Sequence, residues 1–205
     1  MILIMINIFC VLVKPGYNIK YVENLYEMCS KYISKEFKFN CLTDSPSRIE
    51  NNIYYHNIEK FELDTWWNKL LIFHNNYSSD DINLYFDLDV KIQENIDCLI
   101  DDIEKDILCV VDTPWKDDWY FNQTSTKIKD VSAFLCYGNT SVMGWIGKSQ
   151  HYIYDNFDKN MFEILKDNFG DDTYINRFAK VKYFKKIINP FDSTYPIIIN
   201  YKKID

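Results

Sequence analysis

The chain carries a near-continuous apolar run at residues 2–13. A run of this kind, without the polar alternation of a half-exposed strand, is typical of a central strand in a sheet that is covered on both faces. It is shorter than the roughly 18 apolar residues of a membrane span, and it lacks the basic region and cleavage site of a signal peptide. We therefore predict that it forms a buried first strand, which ends at the turn Lys14-Pro15-Gly16.

Strand-like and helix-like segments alternate after this first strand. Further strands are predicted at residues 37–42, 53–58, 82–86, 107–111, 132–137, 181–184 and 197–200. Helices are predicted at residues 19–33, 65–73 with Asp64 as N-cap, 149–169 and 171–178, and residues 113–130 are predicted to form a functional loop or lid. The alternation predicts an α/β fold with a mostly parallel central sheet flanked by helices. The length predicts a single domain over residues 1–205.

The charge and the cysteines limit the possible partners and compartments. The net charge of −7 argues against broad nucleic-acid binding, which needs a basic face. The six cysteines form no Cys-x-x-Cys pair, and neither they nor the three histidines show the spacing of zinc ligands. Buried free thiols in a reducing compartment explain the cysteines best. Together with the lack of a predicted membrane span or targeting segment, this predicts a cytoplasmic protein.

Two carboxylates, Asp87 and Asp89, follow the predicted strand at residues 82–86 and form the single Asp-x-Asp pair of the sequence. Side chains two residues apart on a strand share a face, so both carboxylates can converge on one point. Hard oxygen ligands at the carboxyl end of a strand suit Mg²⁺ or Mn²⁺ that carries a phosphate-bearing substrate. Alternatively, the two aspartates simply lie at the solvated end of a strand and bind no metal.

Other polar residues come directly after predicted strands. Lys14 and Tyr17 follow the first strand, and Thr43 and Asp44 end the second. In sheets of this type ligands bind outside the carboxyl ends of the strands, so these residues are expected at one edge with the acidic pair. A carboxylate at position 44 could accept a hydrogen bond from a nucleotide base or ribose, or it could simply form the turn before Ser45-Pro46.

Seven motifs resemble, in order, those of the GT-A class of nucleotide-sugar glycosyltransferases, and in particular a compact bacterial and viral family of that class. The motifs are Val13-Lys14-Pro15-Gly16-Tyr17, Cys41-Leu42-Thr43-Asp44, Trp66-Trp67-Asn68-Lys69-Leu70, Tyr85-Phe86-Asp87-Leu88-Asp89, Asn139-Thr140-Ser141-Val142-Met143-Gly144-Trp145, Phe169-Gly170-Asp171-Asp172 and Asn200-Tyr201-Lys202. They cover almost the whole chain, and their order is more specific than any one motif.

The resemblance implies a Rossmann-like GT-A fold and a metal-dependent transfer of a sugar from a nucleotide diphosphate, most simply a UDP-sugar, to a glycan or other hydroxyl acceptor. It implies Mn²⁺ or Mg²⁺ as cofactor, bound by Asp87 and more firmly by Asp89. Lys69 and Lys202 would reach the diphosphate, and Tyr17 would stack on the base. The full set of implied donor-binding residues is Lys14, Tyr17, Thr43, Asp44, Lys69, Asp87, Leu88 and Lys202. If the protein is viral, its compartment would be the host cytoplasm.

The resemblance also implies an acceptor side. Asn139 and Thr140 match an acceptor-binding loop, and Asp171 matches the family's candidate general base or nucleophile. Asp172 stands where the family usually has Gln, which changes the expected acceptor contacts. An Asp after Gly at a helix start can also be an ordinary N-cap. Three tryptophans are interpreted as core or scaffold residues in preference to sugar contacts, namely Trp66, Trp67 and Trp145.

Three other functions fit parts of the pattern. Phe86-Asp87-Leu88-Asp89-Val90 superficially fits a haloacid-dehalogenase-like phosphatase, although that family places the pair after its first strand. A non-catalytic nucleotide-sugar-binding relative would keep the fold without turnover. A nucleotidyltransferase is a further alternative.

Overall fold

The computed structural model describes residues 5–77, 80–112, 138–168 and 170–185. The strands in these residues are β1 (Ile6–Leu12), β2 (Phe37–Thr43), β3 (Arg48–Glu50), β4 (Ile53–Asn57), β5 (Ile82–Phe86), β6 (Leu108–Asp112), β7 (Gly138–Ile146) and β8 (Val181–Tyr183). They form one sheet in the order β3-β4-β2-β1-β5-β7-β6-β8. The predicted α/β class is confirmed.

Helices connect these strands. They are α1 (Ile19–Tyr32), α2 (Asp97–Asp102), α3 (His151–Lys159), α4 (Met161–Asp167) and α5 (Asp171–Phe178), with 3₁₀ helices at Glu59–Phe61 and Thr65–Phe73. Helix α1 begins where the side chain of Asn18 accepts a hydrogen bond from the backbone N–H of Lys20 at 2.9 Å. Among the described helices, none is long and apolar enough to cross a membrane.

The sheet is mixed, so the predicted mostly parallel arrangement is only partly right. Strand β1 pairs in parallel with β2 and β5, β2 with β4, and β6 with β8, whereas β7 runs antiparallel to β5 and β6, and β3 antiparallel to β4. The β3–β4 hairpin is closed by Asn51 and Asn52, both with positive φ. Asparagine tolerates this conformation, which suits a two-residue hairpin turn.

The core lies on both faces of the sheet. Ile6, Ile8 and Cys10 of β1 pack into one apolar cluster with the buried face of α1, and Phe9 packs into the other cluster with Thr65–Phe73 and α3. This confirms that the first apolar run is a central strand covered on both sides. The cysteines that the structure describes are buried, except for the half-buried Cys98.

Two predicted helices differ from the structure. The helix predicted at 149–169 is instead two helices, α3 and α4, and Asn160 between them donates its backbone N–H to the carbonyls of both Asn156 and Phe157. Residues 65–73 are a 3₁₀ helix, and Asp64 precedes it without a side-chain capping bond. Strand β3, helix α2 and the 3₁₀ helix Glu59–Phe61 were not predicted, and Asn139 and Thr140, which were expected in a loop, lie within β7. The strands predicted at 132–137 and 197–200 and the loop at 113–130 lie outside the described residues.

The parallel strands β1, β2 and β5 end at one edge of the sheet. Leu12 and Thr43, the last residues of β1 and β2, are register partners, and Phe9 of β1 pairs with Tyr85 near the end of β5. The segments that follow these strands carry Lys14, Tyr17, Asp44, Asp87 and Asp89, so the fold brings them to this edge.

Candidate functional site

A cavity of about 340 Å³ lies beyond the carboxyl ends of β1 and β5. Its lining residues are Val11, Val13, Pro15, Gly16, Tyr17, Thr65, Trp66, Lys69, Tyr85, Asp87 and Asp89. This volume is at the lower end of the roughly 300–1,000 Å³ of small-molecule sites. The predicted acidic pair therefore borders a space that can admit a ligand.

Asp87 is held by three groups at the wall of this cavity. Its backbone N–H donates to the carbonyl of Ser141 at 2.8 Å, which ties the end of β5 to β7. The hydroxyl of Tyr85 donates to Asp87 Oδ1 at 2.5 Å, and Lys69 Nζ lies 3.1 Å from the same oxygen. Burial raises the pKa of Asp87, while Lys69 and Tyr85 oppose that rise by stabilising the carboxylate.

Asp89 is half-buried and has a different partner. The Tyr17 hydroxyl donates to Asp89 Oδ2 at 2.8 Å. Burial raises the pKa of Tyr17, and the hydrogen bond to Asp89 raises it further, so the phenol stays protonated and remains a donor. The turn after β1 thus reaches across to orient the second carboxylate of the pair.

Lys69 is a buried cation, only 7% exposed. Its ammonium group lies 3.0 Å from Asp171 Oδ2 and 3.1 Å from Thr140 Oγ1, in addition to Asp87. Burial alone would lower the pKa of Lys69, but the carboxylates of Asp171, Asp87 and Asp172 outweigh burial and raise it. The lysine is therefore charged. It connects Asp87, a predicted donor-side residue, with Asp171 and Thr140, which were predicted on the acceptor side.

The predicted acceptor residues form one hydrogen-bonded cluster. Thr140 Oγ1 lies 2.6 Å from Asp171 Oδ2 and 2.5 Å from Asp172 Oδ1, and Thr140 N–H donates to Asp172 Oδ1 at 2.8 Å. The amide of Asn139 donates to Asp172 Oδ2 at 3.4 Å. A threonine hydroxyl has one proton, so Thr140 can donate to one of the two carboxylates at a time. Burial raises the pKa of Asp171, and the charge of Lys69 opposes that rise.

Asp171 is not the N-cap of helix α5. Gly170 occupies the cap position, and Asp171 is the first helical residue. The Asp171 side chain turns inward to Lys69 and Thr140 and is 6% exposed. The N-cap alternative is therefore wrong, and this carboxylate is engaged inside the protein.

The remaining predicted donor residues lie in varied places. Lys14 is exposed, and its backbone N–H donates to Asp44 Oδ2 at 3.1 Å, which links the ends of β1 and β2. Thr43 is buried, and its hydroxyl accepts the N–H of Ser45 at 3.2 Å, as in a turn. The side chain of Leu88 is 3% exposed and packs in the apolar core. Lys202 lies outside the described residues.

Tyr85 and Trp66 are two of the cavity residues to which the sequence analysis gave no site role. Tyr85 stands two residues before Asp87 on the same strand face, and this spacing could have identified it. Trp66 was interpreted as core or scaffold, but it is 50% exposed and lines the cavity. Trp67 and Trp145 do pack in the core: Trp67 stacks on Phe157 at 5.4 Å, and Trp145 is fully buried.

Carboxylates outnumber cations in the described part of this site. Asp87, Asp89, Asp171 and Asp172 accompany the ammonium group of Lys69. Within the described ranges no group of three or more His, Cys, Asp or Glu residues is arranged to hold an ion. Asp87 and Asp89 are the two carboxylates of the cavity lining that could hold a divalent cation.

The sequence has no match among models of known protein families and no match among curated proteins. The motifs and the geometry of the cavity are thus the basis for assigning a function.

Proposed function

We propose that this protein is a divalent-metal-dependent glycosyltransferase of the GT-A class. Its donor would be a nucleotide diphosphate sugar, most simply a UDP-sugar, and its acceptor a glycan or another hydroxyl compound. The observation that carries the proposal is that Asp87 and Asp89 border a cavity of about 340 Å³ at the carboxyl edge of the parallel strands. Ligands of α/β sheets bind at this edge.

The acidic pair would hold Mn²⁺ or Mg²⁺ together with the donor diphosphate. When bound, such an ion neutralises the charge that develops on the diphosphate leaving group. Both oxygens of Asp87 already contact Lys69, whereas Asp89 has the neutral Tyr17 hydroxyl as its partner. This difference supports Asp89 as the firmer ligand.

The protein's own residues would orient the acidic pair. Lys69 and Tyr85 fix the carboxylate of Asp87, and Tyr17 fixes that of Asp89. A metal ligand whose orientation is set by such outer contacts loses less entropy on binding the ion. The lysine also lines the cavity, where its positive charge favours a diphosphate.

Asp171 would act through Lys69. A general base must reach the acceptor hydroxyl, but the carboxylate of Asp171 is buried between Lys69 and Thr140. We therefore assign Asp171 a positioning role, in place of the base or nucleophile that the resemblance implies. The predicted acceptor side would contribute a hydrogen-bonded cluster that supports Lys69, formed by Asn139, Thr140 and Asp172.

A thermal-shift panel of nucleotide sugars, with and without Mn²⁺, tests the proposal. Because a ligand that binds the native state raises its stability, the preferred donor should raise Tm, and more so when Mn²⁺ is present. Asp89→Asn should lose the Mn²⁺-dependent shift, while Asp101→Asn, an exposed carboxylate on α2, should keep it. An unchanged shift in Asp89→Asn would contradict the metal assignment.

Turnover distinguishes the alternatives. The proposed enzyme should hydrolyse its preferred UDP-sugar slowly to UDP without acceptor, and only with the metal. Phosphate release from p-nitrophenyl phosphate would favour the phosphatase, although the contacts of Asp87 with Lys69 and Tyr85 disfavour it as a free nucleophile. Binding of UDP without turnover, when a range of acceptors is offered, would indicate a non-catalytic relative.

A further inference from the structure

Trp66 is a large apolar side chain that the fold leaves open to the cavity. It is 50% exposed, whereas its neighbour Trp67 is 7% exposed and stacks on Phe157. It shares the cavity with Tyr17, Asp87 and Asp89. A half-exposed indole beside a few charged groups in a concave site is the arrangement expected of a ligand-binding surface.

The backbone around Trp66 holds the indole in place. A Cβ atom at Gly170 would lie 3.2 Å from Trp66 Nε1, so the ring packs closely on the residue that caps α5. Thr65, the preceding residue, has φ of +45°. A β-branched residue rarely adopts this conformation, and strained backbone of this kind clusters at ligand-binding positions.

We propose that Trp66 is a stacking platform for a pyranose ring, an inference that rests on the proposed glycosyltransferase function. A pyranose has an apolar face of C–H groups and a rim of hydroxyls. The apolar face matches the electron-rich face of an indole, and the hydroxyl rim can bond to charged groups beside it. Here Trp66 shares its cavity with Asp87, Asp89 and Lys69, so a ring stacked on it would lie beside the groups proposed to hold the metal ion and the diphosphate.

The pyranose can belong to the donor or to the acceptor, and the two are separable by binding. Trp66 lies in the cavity of the acidic pair, which favours stacking on the donor sugar. It also packs against Gly170 at the start of α5, the helix of Asp171 and Asp172, which favours stacking on the acceptor. Whether the sugar belongs to the donor or to the acceptor, the indole would contact the same apolar face of the pyranose ring.

The test compares the parent protein with Trp66→Ala, Trp66→Phe and Phe162→Ala by calorimetric titration. Phe162 is a 76% exposed aromatic residue on α4 and serves as the matched control. The probes are UDP, a panel of UDP-sugars, and a panel of disaccharides added with UDP and Mn²⁺. Trp66→Ala should weaken saccharide binding about 10-fold, as expected for the loss of one aromatic contact, while UDP binding stays unchanged. Trp66→Phe should retain part of the affinity, and Phe162→Ala all of it.

Each outcome bears on the platform. Loss of UDP-sugar affinity with intact UDP affinity supports stacking on the donor sugar, and loss of disaccharide affinity supports stacking on the acceptor. If Trp66→Ala binds both panels as the parent does, the platform is overturned while the glycosyltransferase function stands. If the parent binds UDP with Mn²⁺ but no saccharide, the platform is likewise overturned. Failure to bind UDP, nucleotide sugars and Mn²⁺ altogether would instead overturn the proposed function.

Gly170→Ala provides a second variant that keeps the indole. Gly170 has extended φ and ψ, so alanine fits the backbone, but its Cβ would press on Trp66. Displacement of the ring by a few tenths of an ångström should weaken saccharide binding less than Trp66→Ala does. Equal saccharide affinity in Gly170→Ala and the parent would argue against a fixed platform. Circular dichroism and Tm should show that every variant is folded.

Discussion

The ammonium group of Lys69 lies 3.0 Å from the carboxylate of Asp171, and both side chains are buried. The first residue belongs to the 3₁₀ helix Thr65–Phe73 and the second begins α5, so the pair joins distant parts of the chain. Burial makes each charge dependent on the other, because neither can be solvated by bulk water.

Lys69→Met should therefore destabilise the protein by about 3–5 kcal/mol, since it leaves the carboxylates of Asp171 and Asp87 without their counter-ion. Urea unfolding followed by circular dichroism measures this change. The same substitution at the exposed Lys105 should cost less than about 0.5 kcal/mol. A Lys69→Met variant as stable as the Lys105 control would show that the buried pair is unimportant for the fold.

Thr140→Val should cost about 1.5–3 kcal/mol, because its hydroxyl bonds to the charged groups of Asp171, Asp172 and Lys69. Thr43→Val is the matched control, as it removes a hydroxyl that accepts one backbone N–H at 3.2 Å. That change should cost about 0.5–1.5 kcal/mol. Equal losses in the two variants would contradict a charged network around Thr140.

Tyr17→Phe should weaken Mn²⁺ binding about 10-fold, because outer-sphere partners of metal ligands typically contribute at least that much. The variant removes the hydroxyl that orients Asp89 and keeps the ring. Electron paramagnetic resonance of free Mn²⁺, with UDP present, measures the affinity. Tyr26→Phe, a tyrosine on helix α1 that packs against Phe37 and Phe39, is the control that should bind as the parent does. An unchanged Mn²⁺ affinity in Tyr17→Phe would show that the Tyr17 hydroxyl does not orient Asp89 for metal binding.

Stability should fall as the solution is acidified below about pH 6.5, the ordinary pKa of histidine. Burial lowers the pKa of His56, His74 and His151, so the folded protein keeps them neutral while the unfolded chain protonates them. The unfolded state then binds more protons, and the free energy of unfolding decreases with falling pH. The histidines contribute their full stabilisation at pH values above their pKa in the unfolded chain. This stabilisation is lost as the pH falls toward their lower pKa in the folded protein.

Comparison of the parent with His56→Gln isolates one histidine. Urea unfolding between about pH 7.5 and pH 5.5 should give a smaller loss of stability in His56→Gln, which removes the titrating group. The glutamine amide can still donate to Asn40, which lies 3.0 Å from the His56 ring nitrogen. The raised pKa of Asp171 acts in the opposite direction in both proteins and cancels in the difference. Identical pH profiles would refute the histidine contribution.

Gly144→Ala should destabilise the sheet by about 1–3 kcal/mol through overpacking. A Cβ atom there would lie 2.8 Å from Cδ1 of Ile103 and 3.0 Å from Phe184. Ile103→Val removes the nearest methyl group, so the double variant should be less destabilised than the sum of the two single changes. Additive losses in this cycle would show that Ile103 is not what excludes the alanine.

Much of the scaffold could be predicted from residue patterns. The apolar run at β1, the helical spacing of α1 and the strand Ile82–Phe86 before the acidic pair are all where the sequence predicted them. The reason is that hydrophobic periodicity and turn residues act locally, and the carboxyl ends of parallel strands must meet at one edge. The convergence of Tyr17, Asp87 and Asp89 on one cavity followed from the same rule.

Tertiary structure alone decided the partners and the orientation of several side chains. Lys69 and Asp171 meet, Leu88 turns into the core, and Trp66 remains exposed beside the buried Trp67, because each outcome depends on packing between distant segments. The antiparallel β7 and the break at Asn160 likewise depend on how strands and helices fit against one another. A local pattern sets the period and the ends of an element, but long-range packing sets which face is buried and which charge it contacts.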